Sequence, residues 1–365
     1  MYTRTPTARA QVRNTMKTFE IKSASSSDRD VFEALTRDES DLVIDLNGFS
    51  RGERSSAMSS VPVSATYLGF PSSAGGLHDI SITDSVATPV EISSHLYDES
   101  LLLFTSSSYM VSSHADAYPI SHDFSINTIT KQEHRDSIDR ILELKRQGRL
   151  ILCNFGQLYK ITPNMVSAWA DIMRSLPHSI LWMVRHKSMN DRSLRNLRLE
   201  LAMRGIDAKR RVIVSPLFDL EHHIEIKRLA DLSLDSFPYV AHSTAVDILW
   251  SGVPHITLEG EMTPSRVASS LLYSLNMSEL VTKDVREYVD LAIRLGSSPV
   301  LLNALREKIR LGRTQSKNSL FNTKRQAVMT TRGYEAIVEA ASWRQTNNRE
   351  SCEKNVEKIM NVIIL

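Results

Sequence analysis

The stretch LADLSLDSFPYVAHSTAVDILWSGVPHITL, residues 229–258, reads as one strand–helix–strand unit. Leu232 to Leu234 and His255 to Leu258 are short apolar runs of strand length, and between them Thr244 to Trp250 has the spacing of an amphipathic helix opened by Ser243-Thr244. The same alternation runs through the surrounding chain. Leu150 to Phe155, Ser179 to Val184 and Arg211 to Ser215 are further apolar runs. Helices are expected over Asn164–Arg174, Ser193–Arg204, Glu221–Ala230 and Ser265–Leu275. Strands alternating with helix-length segments imply a parallel, doubly wound α/β sheet, which binds ligands beyond the carboxyl ends of its strands.

The part before residue 131 is less regular. Asp41-Leu-Val-Ile-Asp-Leu-Asn-Gly48 is an apolar run closed by a turn-forming Asn-Gly, and Ile80 to Thr83 is a second strand candidate. Residues 50–125 are rich in Ser and Gly and read as loop-heavy. Lys131 to Gly148 alternates charges at helical spacing, as a solvated helix does. The expected division is a partial first domain over 1–130, a doubly wound Rossmann-like domain over 131–345 and a tail over 346–365.

Composition narrows the function classes. The 365 residues carry 44 basic and 42 acidic side chains, a net +2, which gives no reason to expect a nucleic-acid partner. The two cysteines, Cys153 and Cys352, are far apart and form no CxxC pair, which argues against a disulfide framework or structural zinc and fits a reducing compartment. No apolar run has the roughly 20 residues a membrane-spanning helix needs, so no membrane partner is expected. Arg4, Arg9, Arg13 and Lys17 precede the first acid; an organelle transit peptide and a frayed basic terminus both fit.

Four stretches bear on chemistry. In Ala241-His-Ser-Thr-Ala-Val-Asp247 a strand gives way to a helix whose N-terminal N–H groups and dipole favour an anion; Ser243 and Thr244 add hydroxyls, and Asp247 is placed to accept from a ribose. A plain helix cap explains Ser-Thr equally well. Cys153-Asn-Phe-Gly-Gln-Leu-Tyr-Lys160 ends a strand in polar residues with a lysine just past the sheet edge, suited to a leaving diphosphate or merely exposed. Glu221-His-His223 offers imidazoles to a nucleotide, and its spacing is not that of a zinc-binding HExxH. Tyr67-Leu-Gly-Phe-Pro-Ser-Ser-Ala-Gly-Gly76 is a small-residue loop that lets a sugar or phosphate approach the backbone. No GxSxG, Walker loop or GxGxxG following a strand is present, which argues against hydrolase and dinucleotide enzymes.

Taken in order, these stretches resemble the catalytic region of O-GlcNAc transferases, which move N-acetylglucosamine from UDP-GlcNAc to Ser or Thr hydroxyls of proteins. The segments that carry the resemblance are DLVIDLNGFSRGER (41–54), YLGFPSSAGG (67–76), CNFGQLYKITP (153–163), RVIVSP (211–216), RLADLSLDSFPYVAHSTAVDILWSGVP (228–254) and SLFNTK (319–324). The resemblance implies a GT-B-like pair of Rossmann-type doubly wound domains, the first incomplete, with inversion at the transferred carbon and no metal. It places Gln157 and Lys160 at the diphosphate, with Lys160 as the catalytic cation, and His223 near the uracil. His242, Ser243 and Thr244 fall at the phosphates, Asp247 at the ribose, Leu68, Gly69 and Pro71 beside the sugar, and Arg54 on the acceptor side.

Departures from the family pattern are also legible. The Asp-Phe-x-x-His-Pro motif and the tetratricopeptide repeats are missing, Phe49 replaces a tyrosine, Leu220 stands where the family has a lysine, and Ile226 where it has an arginine. The resemblance therefore leaves open an inactive homologue acting as a binding module, and dependence on a missing N-terminal segment or partner. The related protein O-fucosyltransferases, which use GDP-fucose, are a further alternative. UDP-GlcNAc and proteins with Ser or Thr acceptors are the expected partners, in the cytoplasm or nucleus.

Overall fold

The computed structural model describes residues 27–37, 40–47, 61–69, 72–93, 95–110, 112–118, 129–187, 189–315, 320–348 and 362–364. Its strands are β1 (Val43–Asp45), β2 (Ser64–Tyr67), β3 (Ile80–Asp84), β4 (Ser100–Phe104), β5 (Leu150–Asn154), β6 (Ser179–Arg185), β7 (Val212–Pro216), β8 (Leu232–Leu234), β9 (His255–Leu258), β10 (Val281–Thr282) and β11 (Val362–Ile364). Two compact units are present, one of residues 1–83, 93–103 and 330–365, the other of residues 84–92 and 104–329. They interleave along the chain, unlike the linear division expected at residue 130.

The larger unit contains a parallel six-stranded sheet in the order β10-β9-β8-β5-β6-β7. From β5 the chain moves outward through β6 and β7, then crosses back to lay β8 against the other edge of β5, pairing Leu152 with Leu232. The strand order thus reverses between β5 and β8, and that reversal opens a crevice beyond their carboxyl ends. Every residue of β8 and all but the first of β5 are buried, as expected of strands covered on both faces.

Local chemistry sets the helix ends. Thr162 accepts from Met165 N at 3.3 Å with Pro163 in the first turn, and Asn190 accepts from Ser193 N at 2.9 Å. The helix Ser243–Ser251 stops at Gly252, whose φ of 84° is left-handed. The expected helix over Glu221–Ala230 contracts to His223–Lys227.

The smaller unit holds a second parallel sheet, β1-β2-β3-β4-β11. This corrects the loop-heavy reading of residues 50–125. β2 was hidden because its sequence, Ser-Ala-Thr-Tyr, carries hydroxyls, yet all four residues are buried. Asp79 makes that possible by accepting from Ser64 N at 2.8 Å and Ser64 Oγ at 3.0 Å. β4 contains an apolar run, Leu101-Leu102-Leu103-Phe104, that the Ser-rich surroundings obscured. Helices Val285–Gly296, Pro299–Gln315 and Thr323–Asn348 follow β10 along the chain.

The core of the larger unit joins Ile151, Cys153, Phe155, Trp182, Ile213 and Ile248. Trp182 is fully buried and donates through Nε1 to Ser215 Oγ at 2.8 Å, with Phe155 edge-on at 5.0 Å. Burial pushes the Cys153 thiol up to about 12, which makes it a packing residue rather than a nucleophile. Trp182→Ala leaves a cavity and an orphaned hydroxyl, and urea unfolding should show a loss of about 3–5 kcal/mol. An unchanged midpoint would contradict this account of the core.

Candidate active site at the sheet's switch point

The site is built on the loops that follow β5 and β8. After β8, Asp235 is 1% exposed, and its Oδ1 accepts from Ser236 N and Ala241 N, both at 2.7 Å. Its Oδ2 accepts from Thr257 Oγ1 at 2.7 Å and stands 3.2 Å from His255 Nε2. One carboxylate thus closes the segment from Ser236 to Ala241 into a fixed loop and ties it to β9.

That loop receives Lys160. The lysine follows β5 on a 3₁₀ turn, Leu158–Lys160, and its Nζ donates to Val240 O at 2.7 Å while lying 3.8 Å from the centre of the Tyr239 ring. Burial lowers the lysine's pKa, and the charge of Asp235 acts the other way. An ammonium has three hydrogens, so the bond to Val240 leaves two for a ligand. Gln157, which precedes the turn, is half-buried.

His242 comes next and begins the helix Ser243–Ser251 with no side-chain cap. Its Nε2 lies 3.3 Å from Pro264 O, and its ring meets Tyr239 edge-on at 5.1 Å. Burial, then the Lys160 charge, lowers its pKa to about 4, so the ring is neutral at pH 7. Ser243 is exposed and Thr244 half-buried in the first turn, where helical N–H groups lack intrahelical acceptors. The structure therefore brings Lys160, His242 and an uncapped helix start together, two cationic or dipolar groups separated by a neutral ring.

Asp247, one turn further along, shares a helix face with Ser243. Its Oδ1 accepts from His114 Nε2 at 2.8 Å, and its Oδ2 meets Lys227 Nζ at 2.5 Å and His223 Nε2 at 3.4 Å. Burial alone would raise its pKa, but the bonds from His114 and His223 and the Lys227 ammonium hold the carboxyl well below the usual carboxylate range. His223 is further fixed by Nδ1 to Leu220 O at 2.8 Å and by the edge-on Tyr118 ring at 5.1 Å.

Two departures noted in the sequence acquire a physical meaning. Leu220 is exposed, at 58%, whereas Ile226 is 1% exposed and belongs to the core. Ile226 therefore presents nothing to a ligand, and the side chain facing Asp247 is Lys227. His114 and Tyr118 were missed by sequence reading; the His-Ala-Asp-Ala-Tyr spacing, four residues apart on one helical turn, was the available signal.

In the smaller unit Leu68 adopts a left-handed φ of 66°, a costly conformation for a side chain branched at Cγ, and Gly69 N donates to Tyr67 O at 2.9 Å. The glycine loop that follows is held by Glu99, whose Oε1 accepts from Ala74 N at 2.7 Å and Gly76 N at 3.1 Å. Pro71 and Arg54 lie outside the described residues, as do Phe49 and Gly48. Among the described residues no group of three His, Cys, Asp or Glu side chains is placed to hold a metal ion, and no helix is long and apolar enough to cross a membrane.

Residues 4–147 and 144–329 match glycosyl transferase family 41. The chain belongs to that family. Among its relatives, the Arabidopsis thaliana protein named probable UDP-N-acetylglucosamine–peptide N-acetylglucosaminyltransferase SEC is 29% identical over 336 residues, 89% of this chain and 32% of its own. The Caenorhabditis elegans UDP-N-acetylglucosamine–peptide N-acetylglucosaminyltransferase is 39% identical over 175 residues, covering 48% of this chain and 15% of that protein. A Petunia hybrida protein, named as a probable enzyme of the same kind and called SPINDLY, is 30% identical over 78% of this chain and 28% of its own. The chain thus spans about a third or less of the curated relatives it matches. An O-GlcNAc transferase variant from Thermobaculum terrenum shares the fold, with a TM-score of 0.75, 24% identity, and coverage of 93% of this chain and 61% of that one. The family 41 assignment agrees with the GT-B-like, two-sheet α/β architecture.

The neutral His242 makes stability depend on pH. An unfolded histidine takes up its proton near pH 6.5, the folded ring only near 4, so in that window the unfolded chain holds the extra proton. The contribution is present above pH 6.5 and lost as pH falls to 4. Urea unfolding of the protein and of His242→Gln should show the wild type losing about 1–3 kcal/mol relative to the variant between pH 7 and pH 4. A pH-independent difference would contradict the buried, neutral ring.

Proposed function

We propose that this family 41 chain binds UDP-N-acetylglucosamine and transfers its sugar to Ser or Thr hydroxyls of proteins, with inversion at the anomeric carbon. The observation that carries the reading is the pairing of the Lys160 ammonium with the uncapped start of the helix Ser243–Ser251 at the switch point of the sheet. Both favour negative charge, and both stand where the diphosphate of a nucleotide sugar sits in a doubly wound domain.

In this reading the acceptor oxygen forms a bond to the anomeric carbon while the bond from that carbon to the diphosphate breaks, its electron pair leaving with UDP and the acceptor hydroxyl's proton passing to solvent water. Lys160 and the helix N-terminus stabilise the charge growing on the leaving group. Neutral His242, its Nε2 turned to Pro264 O, lines the phosphate side without crowding a second cation against Lys160. Gln157, Ser243 and Thr244 add polar contacts at the phosphates, His223 borders the base, and Asp247 accepts from the ribose. No metal enters this scheme, because the lysine and the helix dipole supply the electrostatics. Cytoplasm or nucleus is the compartment the reading favours, given Cys153 as a free, buried thiol.

Calorimetric titration tests the donor site. UDP is expected to bind at micromolar concentration and GDP much more weakly, with Lys160→Ala lowering UDP affinity at least tenfold, about 1.4 kcal/mol. With an acceptor peptide, the same variant should lose about 10²–10³ in turnover. Absence of UDP binding would favour the non-catalytic reading, and preference for GDP the fucosyl-donor one.

A further inference from the structure

Asp247 is held by a residue that the donor-site residues do not include. His114 Nε2 lies 2.8 Å from Asp247 Oδ1, and on the other side of the ring Ser112 Oγ lies 3.1 Å from Nδ1. A carboxylate only accepts, so the proton is on Nε2, and the remaining Nδ1 lone pair accepts from the Ser112 hydroxyl. Ser112 is 1% exposed and His114 is largely buried, so neither the hydroxyl nor the ring is offered to solvent as a nucleophile or base. The order Ser112–His114–Asp247 therefore works as an orienting chain rather than a hydrolytic one.

The chain is anchored on the helix it serves. His114 opens the short helix His114–Ala117, and the carbonyl of Tyr118, which ends it, accepts from Trp250 Nε1 at 2.9 Å. Trp250 lies three residues beyond Asp247 on the helix Ser243–Ser251, and its ring and that of Phe321 meet His114 edge-on at 6.2 and 6.1 Å. The imidazole is thus locked in position and in tautomer before any ligand arrives.

A carboxylate has about four lone-pair directions. Among the described residues, His114, Lys227 and His223 take three of those on Asp247, which leaves one, on Oδ1 beside His114. We propose that His114 is a positioning residue that orients Asp247 Oδ1 to accept a single ribose hydroxyl of a ribonucleoside diphosphate. This rests on the donor-site reading and adds to it the residue that aims the acceptor and the number of hydroxyls it takes.

Calorimetric titrations with UDP, 2′-deoxy-UDP, 3′-deoxy-UDP and 2′,3′-dideoxy-UDP test it on the full chain. For the wild type, one monodeoxy analogue should bind like UDP and the other about tenfold more weakly, matching the dideoxy compound. His114→Ala should lose about tenfold on UDP but less than twofold on the dideoxy compound, and His114→Gln, whose amide can donate to Asp247, should recover most of the loss. If His114→Ala is poorly folded by circular dichroism, Ser112→Ala, which frees the tautomer, should show the same selective loss in weaker form. Equal losses on UDP and dideoxy-UDP, or equal losses from removing either hydroxyl, overturn the proposal while leaving the donor site standing. Failure of the wild type to bind UDP removes the donor-site reading and the proposal together.

Discussion

The buried carboxylate of Asp235 is the constraint on which the nucleotide side of this molecule depends. It ends β8 at the point where the strand order reverses, and it accepts from Ser236 N, Ala241 N and Thr257 Oγ1 at 2.7 Å each. Bonds from neutral donors to an ionised acceptor are stronger than neutral pairs, and a carboxylate stripped of water needs all of them. The outcome is a loop whose Val240 carbonyl faces Lys160 and whose last residue delivers His242 to the helix start. The position of the cation, the ring and the helix dipole follows from one group that is itself only 1% exposed.

Charge is partitioned along that helix. At its start Lys160 and the first turn form a region favourable to anions, and His242 stays neutral because burial and the nearby ammonium both oppose a second positive charge. One turn on, Asp247 is an anion surrounded by Lys227, His223 and His114, with its own charge already balanced. The two regions therefore ask different things of a ligand. The first offers Coulomb attraction to an anion, whereas the second, its carboxylate already met by two imidazoles and an ammonium, has direction to offer more than free charge.

Much of this was legible in residues 150–258, because strands buried on both faces read as continuous apolar runs and their helices carry ordinary caps. What escaped was structure whose polar atoms are satisfied internally. Ser64 to Tyr67 does not read as a buried strand until Asp79 is known to take its donors, and the glycine loop gives no sign that Glu99 holds it. At the site, one residue of helical phase separates Ile226, in the core, from Lys227, against Asp247; no spacing rule fixes that phase when the helix is only His223–Lys227. His114 is 133 positions from its partner, a separation at which a lone histidine carries no pattern.

The strand order also sets an itinerary for the growing chain. β5, β6 and β7 emerge consecutively and pair as they come, but the other edge of β5 waits for β8, some 80 residues later, to arrive at Leu152 and Cys153. During synthesis that edge is an open ladder of apolar sequence, with the amide of Ile151 unmatched until Asp231 reaches it at 2.8 Å. A ribosome adding about 5–20 residues per second keeps it exposed for several seconds. The same crossover that creates the crevice at the centre of the sheet therefore also creates an interval in which the nascent protein is open to mispairing, and the two cannot be separated without changing the topology.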